Sequence, residues 1–157
     1  MKKRQLVSVM EWVRPIGVSV AIFFAYYYGS SPVSRFHILG LFIVMIMSGT
    51  TAFESLLLGE AASRKIGYPH NRAYQIQSGL ANAAMACVAC FIYLSSWGKY
   101  ADATIVLVML TFFTFSAVNH VVTAFMLGNL RPVNLMRPAL TFLLLIIVLP
   151  ALIQALR

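Results

Sequence analysis

Acidic side chains are almost missing from this sequence: Glu11, Glu54, Glu60 and Asp102 are the only four in 157 residues. Charged residues of both signs make up 10% of the chain and apolar residues 61%, where ordinary soluble domains carry roughly a quarter charged. A water-soluble core of this size could not absorb so much apolar side chain without exposing large greasy patches, so lipid is the expected solvent. Cysteine is scarce too. Two residues, Cys87 and Cys90, are too few for a dithiol relay that needs two pairs. No Walker loop, dinucleotide fingerprint, G-x-S-x-G or HExxH is present, which removes the common soluble-enzyme signatures.

What the chain does have is five long apolar runs, with its charges set between them. They predict an all-α bundle of five transmembrane helices in a single domain, with spans at about 15–33, 36–58, 73–97, 103–127 and 138–156. Each meets the length of about 20 residues that a bilayer requires. Pro15 suits a helix start, and Pro150 is expected to kink the last span near its end. The basic start at Met1, Lys2, Lys3 and Arg4 resembles a signal-peptide n-region. The apolar run behind it reaches Tyr26, Tyr27 and Tyr28 without a small-residue cleavage site, so it is read as a retained helix.

The net charge of +8 does not point to nucleic acid, because the basic residues punctuate the runs instead of forming a patch. They read as topology signals and as contacts for anionic head groups. With the N-terminus inside, the cytoplasmic segments hold Lys2, Lys3, Arg4, Arg14, Arg64, Lys65, Arg72, Arg131 and Arg137, and the far side only Arg35, Lys99 and Arg157. Nine against three places the N-terminus in the cytoplasm and the C-terminus outside. The cytoplasmic segment 59–72 reads as a loop bent at Gly67 and Pro69, with His70 solvated.

Glu11, Glu60 and Asp102 fall at or beyond span ends, within reach of water; Glu54 falls inside span two. Spans two and four run in the same direction. Glu54 is 18 residues past Phe36 and His120 is 17 past Ala103, so both lie about 26 Å along their helices, at one depth. Gln75, Gln77 and Asn82 open the third span at that depth, and Asn119 adjoins His120. Polar groups in hydrocarbon seek one another, since an unpartnered one costs several kcal/mol. Glu54 and His120 are therefore candidates for a ligand anchor or proton relay, with Gln77, Asn82 and Asn119 orienting them. The alternative is an interhelical hydrogen-bond clasp. Two ligands fall short of the three or four that zinc takes, so no metal is expected there. His37, at the outer start of span two, reads as an interfacial residue. Small residues on span two (Ser48, Thr51, Ala52, Ser55, Gly59) and span three (Ser78, Gly79, Asn82, Ala83, Ala86) read as close helix packing.

Cys87 and Cys90 stand at i and i+3 in a CVAC sequence on the outer half of span three. This is similar to quinone-linked disulfide-forming enzymes of the bacterial inner membrane, although those carry a second pair. The other reading is two small hydrophobes packed on an Ala-rich face. Gln77 and Cys90 are about 20 Å apart along the helix, so the pair is not part of the Glu54 cluster.

Phe53-Glu54, Ile66-Gly67-Tyr68-Pro69, Tyr74-Gln75, Gly79 and Asn82 together resemble a family of small bacterial integral membrane proteins of unknown function, distantly like DoxX-type four-helix bundles. That pattern has Phe-Glu on a helix, an Ile-Gly-aromatic-Pro hinge, and Gln, Gly and Asn opening the next helix. The resemblance spans residues 53–82 and implies a multi-pass bundle in the inner membrane; it implies no reaction. The expectation is thus a non-enzymatic, multi-pass inner-membrane protein that binds a small or amphiphilic ligand, or serves as a subunit of a homo-oligomer or larger membrane complex. The alternatives are a quinone-linked thiol oxidoreductase at Cys87 and Cys90, and an oligomeric small transporter.

Overall fold

In the computed structural model residues 3–157 are described, Arg4 by its backbone alone. Lys2 and the side chain of Arg4, counted above among the basic residues, lie outside the described residues. Five helices follow one another: α1 (Lys3–Tyr28), α2 (Pro32–Ile66), α3 (Arg72–Ser95), α4 (Lys99–Met126) and α5 (Pro132–Leu156). All five are long and apolar enough to cross a membrane.

Local chemistry sets their ends. Ser31 caps α2, its hydroxyl accepting from the Ser34 amide at 3.2 Å, and Pro32 follows at the first helical position, where its missing N–H costs nothing. At the other end Gly67 takes a left-handed conformation with φ 77°. Its amide and that of Tyr68 both donate to Ser63 O, at 2.9 and 3.0 Å, which closes the helix as a glycine C-cap does. Asn71 then caps α3 through Tyr74 N at 3.0 Å. Only residues 67–71 separate two long helices, so α2 and α3 fold back on one another.

The helices outrun the apolar stretches. α1 begins at Lys3, with Pro15 inside it. The expected loop 59–72 is mostly helix, since α2 continues to Ile66, and α4 starts at Lys99 and not beyond Asp102. The cause is packing and pairing in the polar overhangs: Val7 of α1 is buried against Leu58 and Ala62 of α2, and Lys65 Nζ donates to Ser8 Oγ at 2.9 Å and Glu11 Oε2 at 2.5 Å.

α2 is the hub: all four other helices pack on it, α4 also packs on α3 and α5, and among the described residues α1 packs on α2 alone. Phe36, Leu39, Leu41, Ile43 and Val44 of α2 are fully buried there, with Val106 and Met109 of α4 and Val148 of α5. Close approach depends on small residues. A Cβ on Gly79 would stand 2.7 Å from Leu56 Cγ, and one on Gly40 2.8 Å from a methyl of Val106. In lipid, where apolar side chains gain little by leaving the solvent, such contact is what holds helices together. The chain runs up and down, so the starts of α1, α3 and α5 share one end with the finishes of α2 and α4. Most of the arginines and lysines stand at that end, called the basic end below.

Candidate functional site: a charged network across four helices

Near the basic end, Glu54 of α2 is 5% exposed and His120 of α4 8%. They are brought together through a residue between them. Arg14 of α1 pairs with Glu54 Oε2 and also donates from Nε to Thr50 Oγ1 at 3.2 Å. Arg137 of α5 stands 3.8 Å from Glu54 Oε1, and its Nη1 lies 3.0 Å from His120 Nε2. Tyr68, in the α2–α3 turn, stacks on the imidazole at 5.7 Å between ring centres, with its hydroxyl 3.3 Å from His120 Nδ1.

This geometry assigns roles. A guanidinium has donors only, so His120 Nε2 accepts from Arg137 and the ring proton sits on Nδ1, facing the Tyr68 hydroxyl. Glu54 sits between two arginines, and the group carries one positive charge beyond what that carboxylate balances. The neighbouring Lys65–Glu11 pair at 2.5 Å is internally neutral. Arg14 and Arg137 keep 14% and 32% of their side chains exposed while Glu54 keeps 6%, so the buried member is the acid and the reachable members are the bases.

The sequence sets Glu54 and His120 at one depth, but it presents Arg14 and Arg137 as topology signals and Tyr68 as part of a bend. A signal was present: Glu54 lacks any compensating charge on its own helix within a turn, so the nearest run-end arginines at its depth were its available partners. The amides are arranged otherwise than expected. Gln77 and Asn119 are exposed on the outside of α3 and α4. Asn82 is fully buried and donates to Ser78 O of its own helix at 2.9 Å. Gln75, two residues before Gln77, points inward instead and donates to Gly59 O at 2.8 Å and Ser63 Oγ at 2.6 Å, locking α3 to α2.

The base beneath the network is fixed by satisfying the last carbonyls of α2, which no helical amide reaches. Arg131 donates to Arg64 O and Lys65 O at 3.2 and 3.1 Å, and Asn129 and Asn134 to Ile66 O at 2.9 and 3.1 Å. This ties the α4–α5 turn to the end of α2 and so positions Arg137 and His120 against Glu54. A cation at a helix C-terminus is also favoured by the helix dipole.

A direct acid–imidazole pair lies at the opposite end. Asp102 was expected within reach of water, yet it is 1% exposed. In the first turn of α4 it is turned inward, where it accepts from His37 Nδ1 of α2 at 2.9 Å. His37, expected as a simple interfacial residue, stacks on Tyr93 of α3 at 5.1 Å. Cys87 and Cys90 are free and exposed on α3. Among the described residues, no three of His, Cys, Asp and Glu gather where they could hold a metal ion.

Residues 10–157 match the model of a family of unknown function, DUF6790, and the chain belongs to that family. No curated protein and no solved structure matches it.

Proposed function

We propose that this member of DUF6790 is a multi-pass protein of the bacterial inner membrane, N-terminus in the cytoplasm and C-terminus outside, that holds the anionic head of a small or amphiphilic ligand at its cytoplasmic end. The observation that carries this reading is the unbalanced charge of the network: two partly exposed guanidiniums, Arg14 and Arg137, flank one buried carboxylate, Glu54. A clasp needs one base for one acid. A second base, held in place by His120 and aimed at the same carboxylate, leaves capacity for one more anion, and guanidinium forks suit carboxylate and phosphate oxygens.

The same geometry favours anchoring over proton relay. Arg137 stands between Glu54 and His120, and a guanidinium does not give up its proton in proteins. His120 then acts as a positioning residue that fixes the Arg137 fork, and Tyr68 fixes the imidazole. The positive bias of this end supports the orientation.

The test uses protein purified in a neutral maltoside detergent. Laurate, below its micelle-forming concentration, is expected to raise the unfolding temperature of the parent, and the uncharged dodecanol is not. Arg137→Gln should lose that difference while keeping the parent's helical circular dichroism. Equal effects of the two additives on the parent protein would remove the head site.

A further inference from the structure

Among the described residues, α1 and α5 both pack on α2 but not on each other, and between them runs a groove of about 130 Å³ lined by Arg14, Val18, Met47, Leu140, Leu144 and Ile147, among others. On α1 the lining runs from Arg14 through Val18 and Ser19 to Ile22; on α5 it is Leu140, Leu144 and Ile147, which begin about one turn beyond Arg137; on the α2 floor it is Met47, with Thr50 and Glu54 one and two turns nearer the basic end. Spacings of three, four and seven put such residues on one helix face. The groove therefore meets the charged network through Arg14 at the basic end, and beyond it the lining is aliphatic apart from Ser19. From Arg14 to Ile22 the aliphatic stretch extends about 12 Å.

Building on the head-group reading above, we infer that this groove is the tail channel of the same site, and that its occupant is one acyl chain of a monoanionic, single-chain lipid. Long-chain carboxylates are the simplest members of that class. The slot lies between just two helices, which admits one chain and not a pair. The uncompensated charge is single, which matches one anionic group. Lipid tails are as apolar as leucine, so burial of the chain from the bilayer supplies little drive. Selection comes from the charge at the end of the slot, with the groove determining where the chain lies.

The test is photo-crosslinking in nanodiscs of phosphatidylcholine, using palmitate with a diazirine at mid-chain. Labelled peptides are expected from residues 15–22 of α1 and 140–147 of α5. Excess palmitate should compete the label away, and methyl palmitate should not. Leu144→Trp and Ile147→Trp, two independent plugs, should each cut groove labelling several-fold while keeping the parent's helical circular dichroism. Carboxylate-dependent labelling that falls evenly on the outer faces of α3 and α4, or is indifferent to both plugs, overturns the tail channel and leaves the head site standing. Groove labelling competed equally well by the methyl ester overturns the charge selection on which both readings rest.

Discussion

Glu54 is the residue on which the basic end depends. Burying a carboxylate is costly unless it is paired, and here two guanidiniums share it. Removing the acid leaves like charges facing each other in a low-dielectric site, so Glu54→Gln should destabilise the protein by about 3 kcal/mol, the cost typical of breaking a buried pair. Adding Arg14→Gln should return part of that loss, a coupling of at least about 1 kcal/mol in a double-mutant cycle. Reversible unfolding in mixed micelles reads both; additive losses would mean that Arg14 and Glu54 are not partners. At the opposite end, His37→Phe keeps a ring against Tyr93 but strips buried Asp102 of its donor. It should cost about 2 kcal/mol, and the double variant with Asp102→Leu should recover most of that cost by the same measurement. A single variant as stable as the parent would show that the imidazole does not satisfy the acid.

Among the helices, the turn between α2 and α3 couples local chemistry to the site. Gly67 ends α2 at positive φ, and a Cβ there would also stand 2.8 Å from the Arg131 guanidinium carbon. Gly67→Ala should therefore cost about 1–2 kcal/mol. Because Tyr68 follows directly, it should also weaken the laurate stabilisation. If the substitution left both unchanged, the cap would not be positioning Tyr68. The helices themselves were legible in the sequence as apolar runs, but their ends were not. Hydropathy registers what can sit in lipid, and the overhangs at 3–14, 59–66 and 132–137 are helical because of pairs such as Lys65 with Glu11 and Asn134 with Ile66. The depth of Glu54 and His120 followed from a rise of about 1.5 Å per residue. Helix rotation did not follow from it: Gln75 faces α2 while Gln77 points away, and only packing decides which. Asp102 was misplaced for a related reason, since a short polar segment reads as a loop until its partner His37 on another helix is known.

For the whole molecule, each end sets an acid and an imidazole on α2 and α4, in direct contact at one end and bridged by Arg137 at the other. The acid is on α2 and the imidazole on α4 at the basic end, and the reverse holds at the other. Between them lies the fully buried apolar core of Val44, Val106 and Met109, which keeps the ends chemically separate. The basic end is proposed to face the cytoplasm. Reporter fusions check this: an alkaline phosphatase joined after Arg157 should be active, and a fluorescent protein at the N-terminus should fold and fluoresce. The opposite pattern would invert the topology and place the head site in the outer leaflet. Whether the arginine pair recognises an anionic head is read by native mass spectrometry of protein extracted from membranes in a neutral detergent. One monoanionic amphiphile per chain should co-purify, and it should be lost from an Arg14→Gln, Arg137→Gln double variant that remains folded. An unliganded parent protein, or an identical set of bound molecules on parent and variant, would contradict that recognition.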